Sequence, residues 1–216
     1  MMPQNIAIDH RSQQSPVRNQ GDRPTCVGFA VCAAHEWIAG DNVVRSPEDA
    51  VWAGHRAGGQ QTEQATSVRL ALEGLGTLRH ASEDAWPYGN PAWPAERPVA
   101  ATSRDNQRDL PTWRQLLGVS LVEVRRELGR GAAVVLTLGH VVSAWSLAGG
   151  LVDAGPGKRT VGNHAVLAVG ILNTGATAEQ VVIKNSWGGH WGAAGYGFVS
   201  ARYLEAYGIR VHVLER

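Results

Sequence analysis

The stretch Gln20-Gly21-Asp22-Arg23-Pro24-Thr25-Cys26-Val27-Gly28-Phe29-Ala30 joins a turn to the start of a helix. Pro24 breaks the preceding chain and Thr25 offers a hydroxyl N-cap, after which apolar residues recur at helical spacing. We therefore predict a helix over Cys26–Ala39, with Cys26 in its first turn. Free N–H groups and the positive end of the helix dipole favour a thiolate at that position.

A second pair of segments supplies a base for this thiol. Residues Ala165–Leu172 and Val181–Lys184 have the pattern of buried strands, and the turn-rich residues 173–177 connect them. A hairpin with a central turn sets His164 opposite Asn185. The amide oxygen of Asn185 then accepts from one ring nitrogen of His164, which leaves the other nitrogen facing the thiol.

Further residues complete the candidate site. The side-chain amide of Gln20, with the backbone N–H of Cys26, is expected to hold the charge of a tetrahedral intermediate, worth about 3 kcal/mol for one donor. Trp187 follows Asn185 closely and is expected to shield its hydrogen bond to His164 from water. The two neighbours of His164 are candidates for substrate binding or shielding: Asn163 and Ala165.

These segments resemble the papain-like cysteine peptidase family, and the resemblance spans nearly the whole chain. The similar segments are Ile8–Arg11, Pro16–Gly21, Trp86-Pro87-Tyr88, Gly150–Asp153 and, most completely, the closing motif Asn185–Phe198. The resemblance implies one role for each of four residues: Gln20 in the oxyanion hole, Cys26 as nucleophile, His164 as general base and then acid, and Asn185 as the residue that orients His164.

The chain departs from the family pattern near the nucleophile and in the substrate region. Val27 replaces a usual aromatic residue, and Gly28 replaces a common alanine. Arg23 stands where many secreted members carry a disulfide cysteine. The segment Thr62-Glu63-Gln64 replaces a glycine pair that hydrogen-bonds the substrate backbone. These departures leave the substrate specificity open.

The order of predicted elements indicates an α+β fold. The predicted helices are Cys26–Ala39, Pro47–Arg56, Ser67–Leu75 and Ser120–Gly129, and the predicted strands are Ala132–Leu138, Ala165–Leu172, Val181–Lys184, Gly195–Val199 and Ile209–Val213. Tyr88–Pro111 is expected to be an irregular surface connection.

We expect a two-lobed, papain-like catalytic domain over residues 1–216. Its helical lobe covers about 12–111 and packs against an antiparallel, barrel-like β lobe over about 112–216, with segment 1–11 packing on the β lobe. The cleft between the lobes would bring Cys26 to His164.

Composition suits a globular enzyme. The chain has 216 residues, 44% of them hydrophobic, and a net charge of +1, so a sizeable core is feasible. The near-neutral charge argues against nucleic acid or anionic membranes as partners, and no apolar run approaches the ~18 residues of a membrane span. A peptide or protein substrate is the expected partner, and the oligomeric state is left open.

Cysteine usage predicts a reducing compartment. Cys26 and Cys32 lie about 9 Å apart along one predicted helix, too far for a disulfide, and we read Cys32 as a small buried hydrophobe. With no leader pattern at Met1, the expectation is a cytoplasmic protein, with a secreted mature fragment as the alternative. The helix segment 35–39 lacks the second histidine of a zinc peptidase, so neither a metal nor a cofactor is expected.

The sequence thus predicts a thiol hydrolase of peptide bonds. Cys26 attacks, a thioester acyl-enzyme forms, and His164 protonates the leaving amine before it activates water. If an amine intercepts the acyl group, the protein is a peptide ligase or transpeptidase, or a dedicated amide-processing enzyme of a biosynthetic pathway. Val27, the altered Thr62-Glu63 region and the propeptide that is expected to be missing if Met1 is the true start motivate this alternative. A third possibility is a binding module without catalysis.

Overall fold

The computed structural model describes residues 6–60, 63–90, 93, 96–146, 148–173 and 179–216. The helices are α1 Cys26–Ala39, α2 Pro47–Gly58, α3 Val68–Leu78, α4 Val99–Thr102, α5 Leu121–Gly129, α6 Val142–Trp145 and α7 Ala201–Tyr207. The strands are β1 Ile6–Asp9, β2 His80–Ala81, β3 Gln107–Arg108, β4 Thr112–Gln115, β5 Ala133–Gly139, β6 Leu151–Val152, β7 Asn163–Asn173, β8 Glu179–Lys184, β9 Tyr196–Ser200 and β10 Gly208–Glu215.

The long helices lie in the first half of the chain, and their capping residues explain where they begin. Helix α1 has the predicted bounds. The hydroxyls of Ser46 and Ser67 each accept a hydrogen bond of 3.2 Å from the backbone N–H three residues on, so they cap α2 and α3. Both helices run a few residues beyond the predicted ends.

The second half of the chain forms one continuous, mostly antiparallel sheet. Its strand order is β4-β10-β5-β7-β8-β9-β6, and β1 also pairs with β7. Only the β6–β9 pair is parallel within the described strands. The architecture is therefore the predicted α+β arrangement, with helices on one side and a sheet on the other.

The N-terminal segment lies on this sheet. Asp9 of β1 is the register partner of Gly170 in β7. A Cβ atom on Gly170 would come within 2.4 Å of the carbonyl oxygen of Ile8, so glycine permits the close approach of the two strands. The ladder between β7 and β8 shifts by one residue beside Gly170.

Four short elements differ from the sequence predictions. The connection predicted as irregular over Tyr88–Pro111 contains α4 and the strand β3, which pairs with β2. Helix α7 and strand β4 were not predicted. The predicted turn at 173–177 lies almost wholly outside the described residues.

Helix α1 occupies the centre of the molecule. All of its residues from Val27 to Ile38 are buried, between α2 and α3 on one side and strands β5 and β7 on the other. Its first residue, Cys26, is half-buried and free. The helix thus presents one end at the junction of helices and sheet. No described helix is long and apolar enough to cross a bilayer.

Candidate active site

The thiol of Cys26 lies beside free backbone N–H groups. It sits in the first turn of α1, where the N–H groups of Cys26 and Val27 lie close to the sulfur and that of Gly28 donates to the carbonyl of Thr25. The predicted hydroxyl cap by Thr25 is wrong, since the Thr25 side chain makes no cap hydrogen bond. Its Oγ1 instead lies 2.6 Å from the hydroxyl oxygen of Tyr88. The Thr25 side chain therefore does not cap this helix end, and the backbone N–H groups there remain directed toward the Cys26 thiol.

Gly28 fixes how closely α1 approaches α2. A Cβ atom at this position would lie 2.6 Å from the carbonyl oxygen of Pro47 and 2.8 Å from Cγ2 of Val51. The departure from alanine at Gly28 therefore has a packing reason. It lets the start of α1, and with it Cys26, lie directly on the start of α2.

His164 and Asn185 meet through their side chains, and their hydrogen bond is 2.7 Å long between Nε2 and Oδ1. Both residues are buried. They are not the facing ladder pair that the sequence predicted, because Lys184, the last residue of β8, pairs with Leu167. Asn185 comes after the strand end, and its backbone N–H donates to the carbonyl of Gly195 instead.

The surroundings of Asn185 determine which nitrogen of His164 carries the proton. The backbone N–H of Ser186 donates to Oδ1 of Asn185 over 2.8 Å, which identifies that atom as the amide oxygen. An oxygen acceptor requires a proton on Nε2 of His164. The other ring nitrogen, Nδ1, is then unprotonated in the neutral ring and available as a base.

Aromatic rings enclose His164. Trp187 stacks on its ring at 4.7 Å between centroids with an interplanar angle of 29°. Trp145, which is buried, meets the ring edge-on at 4.9 Å, and the half-buried His140 lies 6.1 Å away. Trp187 is the residue that the sequence predicts beside His164. Trp145 and His140 were not predicted there, because they follow strand β5 and carry no motif of their own.

Gln20 is held by the segment that follows Asn185. Its backbone N–H donates to the carbonyl of Ser186, and its Oε1 accepts from the Ser186 hydroxyl at 2.7 Å. Its Nε2 donates to the carbonyl of Arg23 at 2.7 Å. A side-chain amide has two N–H groups, so one remains for a further acceptor. Tyr88, which the sequence analysis gave no role, donates its hydroxyl to the carbonyl of Gln20.

Cys26 and His164 line one cavity of about 420 Å³ between the start of α3 and the sheet. Asn163 is exposed and lines the same cavity. Ala165 is buried there, and its backbone N–H lies close enough to the Cys26 sulfur to favour the thiolate. Asn163 and Ala165, the two neighbours of His164, therefore lie at the same cavity as the Cys26 thiol. Thr62, in the segment that differs from the family pattern, lies outside the described residues.

Burial opposes a charge on either reacting group taken alone. It raises the pKa of the Cys26 thiol, while the N–H groups of Ala165, Val27 and Cys26 itself lower it. Burial also lowers the pKa of His164 to about 4, against the opposite effect of the Asn185 hydrogen bond. The neutral pair is the resting state that these two shifts favour.

A second thiol and imidazole meet deeper in the protein. The sulfur of Cys32 lies 3.5 Å from Nε2 of His80, and both residues are fully buried. Nδ1 of His80 lies 3.0 Å from His35, and its Nε2 lies 3.1 Å from the Ser46 carbonyl. Burial raises the pKa of Cys32 well above its usual value. This buried pair has no opening to a substrate, which agrees with the predicted packing role of Cys32.

Arg23 supports the loop before Cys26 by charge. It forms an ion pair with the buried Glu48 of α2, with a separation of 2.9 Å between Nη2 and Oε2. Its guanidinium lies 4.2 Å from the ring centre of Trp93 and 4.8 Å from that of Tyr88. In the family resemblance this position carries a disulfide cysteine. Among the described residues there is no group of three or more His, Cys, Asp or Glu that would hold a metal ion.

Comparison with known proteins identifies relatives of the chain. The family described as "Papain family cysteine protease" matches residues 119–215. Cysteine proteinase 2 of Leishmania pifanoi is 28% identical over 231 residues, which cover 97% of this chain and 48% of that protein. Cathepsin K of Mus musculus is 25% identical over 219 residues, which cover 96% of this chain and 63% of that protein. This chain therefore spans about half to two thirds of the length of these relatives.

Solved structures show the same fold. The structure of xylellain, a cysteine protease from Xylella fastidiosa, matches with a TM-score of 0.78 and 20% identity, covering 100% of this chain and 87% of that one. The predicted papain-like, two-lobed α+β fold is thereby confirmed. The family match over residues 119–215, these relatives and the fold together support the resemblance of the chain to the papain-like cysteine peptidases.

Proposed function

We propose that the chain is a cysteine peptidase that hydrolyses peptide bonds through a thioester at Cys26. The observation that carries the proposal is the 2.7 Å hydrogen bond between His164 and Asn185. Because its donor is Nε2, the unprotonated Nδ1 is the nitrogen available to a thiol in the shared cavity. A nucleophile, an oriented base and space for a substrate then occur together.

The first half of the reaction forms the thioester. Nδ1 of His164 takes the proton of the Cys26 thiol, and the sulfur attacks the carbonyl carbon of the peptide bond. The oxyanion is held by the second N–H of Gln20 Nε2 and by the backbone N–H of Cys26. The tetrahedral intermediate collapses as His164 returns its proton to the leaving nitrogen, so the C–N bond breaks and an amine departs.

The second half restores the thiol. His164 removes a proton from water, the resulting hydroxide attacks the thioester carbonyl, and the C–S bond breaks. The proton returns to the sulfur and a carboxylic acid is released. The same base and the same oxyanion donors serve both halves.

Formation of the ion pair is consistent with the burial of the site. A thiolate or an imidazolium alone is disfavoured, as the raised pKa of Cys26 and the lowered pKa of His164 indicate. Proton transfer from thiol to imidazole creates both charges together, and their attraction in a buried setting offsets the loss of hydration. Stacking by Trp187 keeps water from the Asn185 side of the imidazole.

The remaining features fit a single catalytic domain over residues 1–216. Cys26 belongs to the helical lobe at about 12–111 and His164 to the β lobe at about 112–216, so the site needs both. A peptide or protein is the proposed substrate, without nucleic acid or membrane partners. Two free cysteines fit the proposed reducing, cytoplasmic compartment.

Mass spectrometry of a diverse peptide mixture incubated with the reduced protein tests this function. New peptide termini are expected with the native chain and not with Cys26→Ala. The matched control is Cys32→Ala, which removes the buried thiol and should still cleave. Cleavage that persists in Cys26→Ala, or its absence in the folded native protein, contradicts the proposal.

The same spectra identify the acyl acceptor. Hydrolysis gives fragments whose masses sum to the substrate plus one water. Joined peptides would instead show that an amine takes the acyl group, as in a ligase. Val27, which motivated that alternative, is buried and lines the cavity.

A further inference from the structure

His212 is a buried polar side chain without a partner. It is only 2% exposed, and both of its ring nitrogens lack a hydrogen-bond partner in the described part of the chain. It lines the cavity that also holds Cys26 and His164. A buried polar group of this kind is unfavourable unless a ligand or water completes its hydrogen bonds. The ring is therefore a candidate contact for a substrate group.

The strand β10 places a second basic residue beside His212. Side chains two residues apart on a strand share a face, so Arg210 and His212 point to the same side, while Val211 and Val213 are fully buried on the other. Arg210 pairs with Thr137 of β5, and His212 pairs with Gln115 of β4. This wall of the cavity is consequently polar.

A third basic residue lies across the cavity. Arg69 comes from the first turn of α3, its side chain is 53% exposed, and it forms an ion pair with Glu73. Glu73 does not line the cavity, and no carboxylate is found among the described lining residues. Two arginines and a histidine therefore line this space, and Glu73, the carboxylate paired with Arg69, lies outside the lining.

The charges act on the buried histidine. Burial, together with the cations Arg210 and Arg69, lowers the pKa of His212 to about 4. A positive potential that disfavours one more cation favours an anion at the same place. A neutral His212 can still donate one N–H to it.

We propose that this cavity selects an acidic side chain, Asp or Glu, of the peptide substrate, with His212 donating a hydrogen bond to the carboxylate and Arg69 and Arg210 supplying positive charge. The inference rests on the proposed peptidase function and names its substrate class. Because Cys26 and His164 line the same cavity, the selected residue lies next to or near the scissile bond.

Other side chains suit the cavity less well. Lys or Arg meets the like charges of Arg69 and Arg210. An aliphatic side chain leaves both nitrogens of His212 without a partner. Asn or Gln forms the hydrogen bond but does not gain the charge interaction, so the comparison of Asp with Asn separates charge from hydrogen bonding.

The test measures kcat/KM for peptides in which each position around the cleaved bond carries Asp, Asn, Leu or Lys in turn. At one position, Asp is expected to exceed Asn and Leu by about 10- to 100-fold, the range for a charge-assisted hydrogen bond. His212→Gln, which keeps a donor, should retain most of the preference, and His212→Leu should lose it.

Charge reversal gives the sharper result. The double variant Arg69→Glu and Arg210→Glu should prefer Lys over Asp at the same position. Arg104→Glu is the matched control for each of the two substitutions, because Arg104 is exposed, its replacement makes the same change of charge as one of them, and it lies outside the cavity lining. It should keep the native preference.

The outcomes separate this inference from the proposed function. Cleavage without any preference for Asp, or a preference that survives both the double reversal and His212→Leu, overturns the inference alone. A folded protein that cleaves no peptide of the set contradicts the peptidase function and, with it, the inference. Circular dichroism of each variant verifies that it is folded.

Discussion

Helix α1 carries two cysteines, and the two imidazoles near them show what separates a reactive thiol from a structural one. The sulfur of Cys32 lies 3.5 Å from an imidazole nitrogen of His80, but both residues are fully buried. Cys26 is half-buried and shares an open cavity with His164. Proximity of a thiol and an imidazole is therefore insufficient for function.

The partners of each ring make the same distinction. Both nitrogens of His80 are engaged, by His35 on one side and by Ser46 and Cys32 on the other. In His164, Nε2 is engaged by the side-chain amide oxygen of Asn185, and this assignment leaves Nδ1 as a base. Cys26 also lies at the N-terminal end of the helix, where Cys32 lies in its interior. Access, a free ring nitrogen and helix position coincide at Cys26 alone of these two.

Removal of each thiol in turn should give the largest difference between Cys26 and Cys32. Cys26→Ala should lower kcat by at least about 10⁴-fold, since it removes the nucleophile. Cys32→Ala should leave kcat within a few-fold and lower stability by a modest amount, because it removes one buried sulfur. Peptide cleavage and urea unfolding of both variants check this. Equal loss of activity in folded Cys32→Ala would contradict it.

Loss of the oxyanion donor should give the next largest effect. Gln20→Ala is expected to lower kcat by about 10²- to 10³-fold with little change in KM, since the second N–H of Nε2 is used only in the transition state. Steady-state kinetics separate the two constants. Gln180→Ala on β8 is the control outside the site. A change in KM alone would assign Gln20 to substrate binding instead.

Loss of the amide that orients His164 should lower the rate by a smaller factor. Asn185→Ala should lower kcat/KM by about 10- to 100-fold, a part of the contribution of general acid–base catalysis. The hydrogen bond from His164 to Asn185 raises the pKa of His164, so its removal should move the acid limb of the pH–rate profile to lower pH. A reduced rate with an unmoved profile would mean that Asn185 acts only through packing.

Buried histidines should make stability fall on acidification. Burial lowers the pKa of His35 to about 3 and those of His164 and His212 to about 4, whereas unfolded histidine titrates near pH 6.5. Below pH 6.5 the unfolded chain binds more protons, so the free energy of unfolding decreases as pH falls and is level above it with respect to these groups. The loss is roughly 1–2 kcal/mol for each histidine at pH 5.

Urea unfolding at pH 7.5, 6 and 5 measures this slope. His212→Gln should make the slope shallower, because it removes one titrating group. A free energy of unfolding that is constant over this range would show that these rings take up protons as readily in the folded state as in the unfolded state, contrary to their burial.

The sequence predicted the elements with local signals and missed those set by distant contacts. The helix Cys26–Ala39 follows from Pro24 and the apolar spacing behind it, and both ends are correct. Thr25 was expected to cap the helix, but Tyr88 competes for its hydroxyl. Nothing near Thr25 in the chain reveals that competition.

The candidate site shows the same limit. His164 and Asn185 were chosen correctly as side chains in contact, yet their ladder register was wrong, because a shift beside Gly170 and the length of β7 displace the pairing. The roles assigned to Cys26, His164, Asn185 and Gln20 stay predictions. His212 carries no local motif, and Arg69 lies far from Arg210 and His212 in the sequence, so only the folded structure brings the three together.

Trapping of the acyl-enzyme tests the central claim most directly. The reduced protein is mixed with a peptide that it cleaves, quenched in acid within the first turnover, and digested for mass spectrometry. We predict that the mass of the acyl group is found on Cys26 in the native chain and in Cys32→Ala, and is absent from Cys26→Ala. An acyl group on Cys32, or rapid turnover without any adduct on Cys26, would contradict the account.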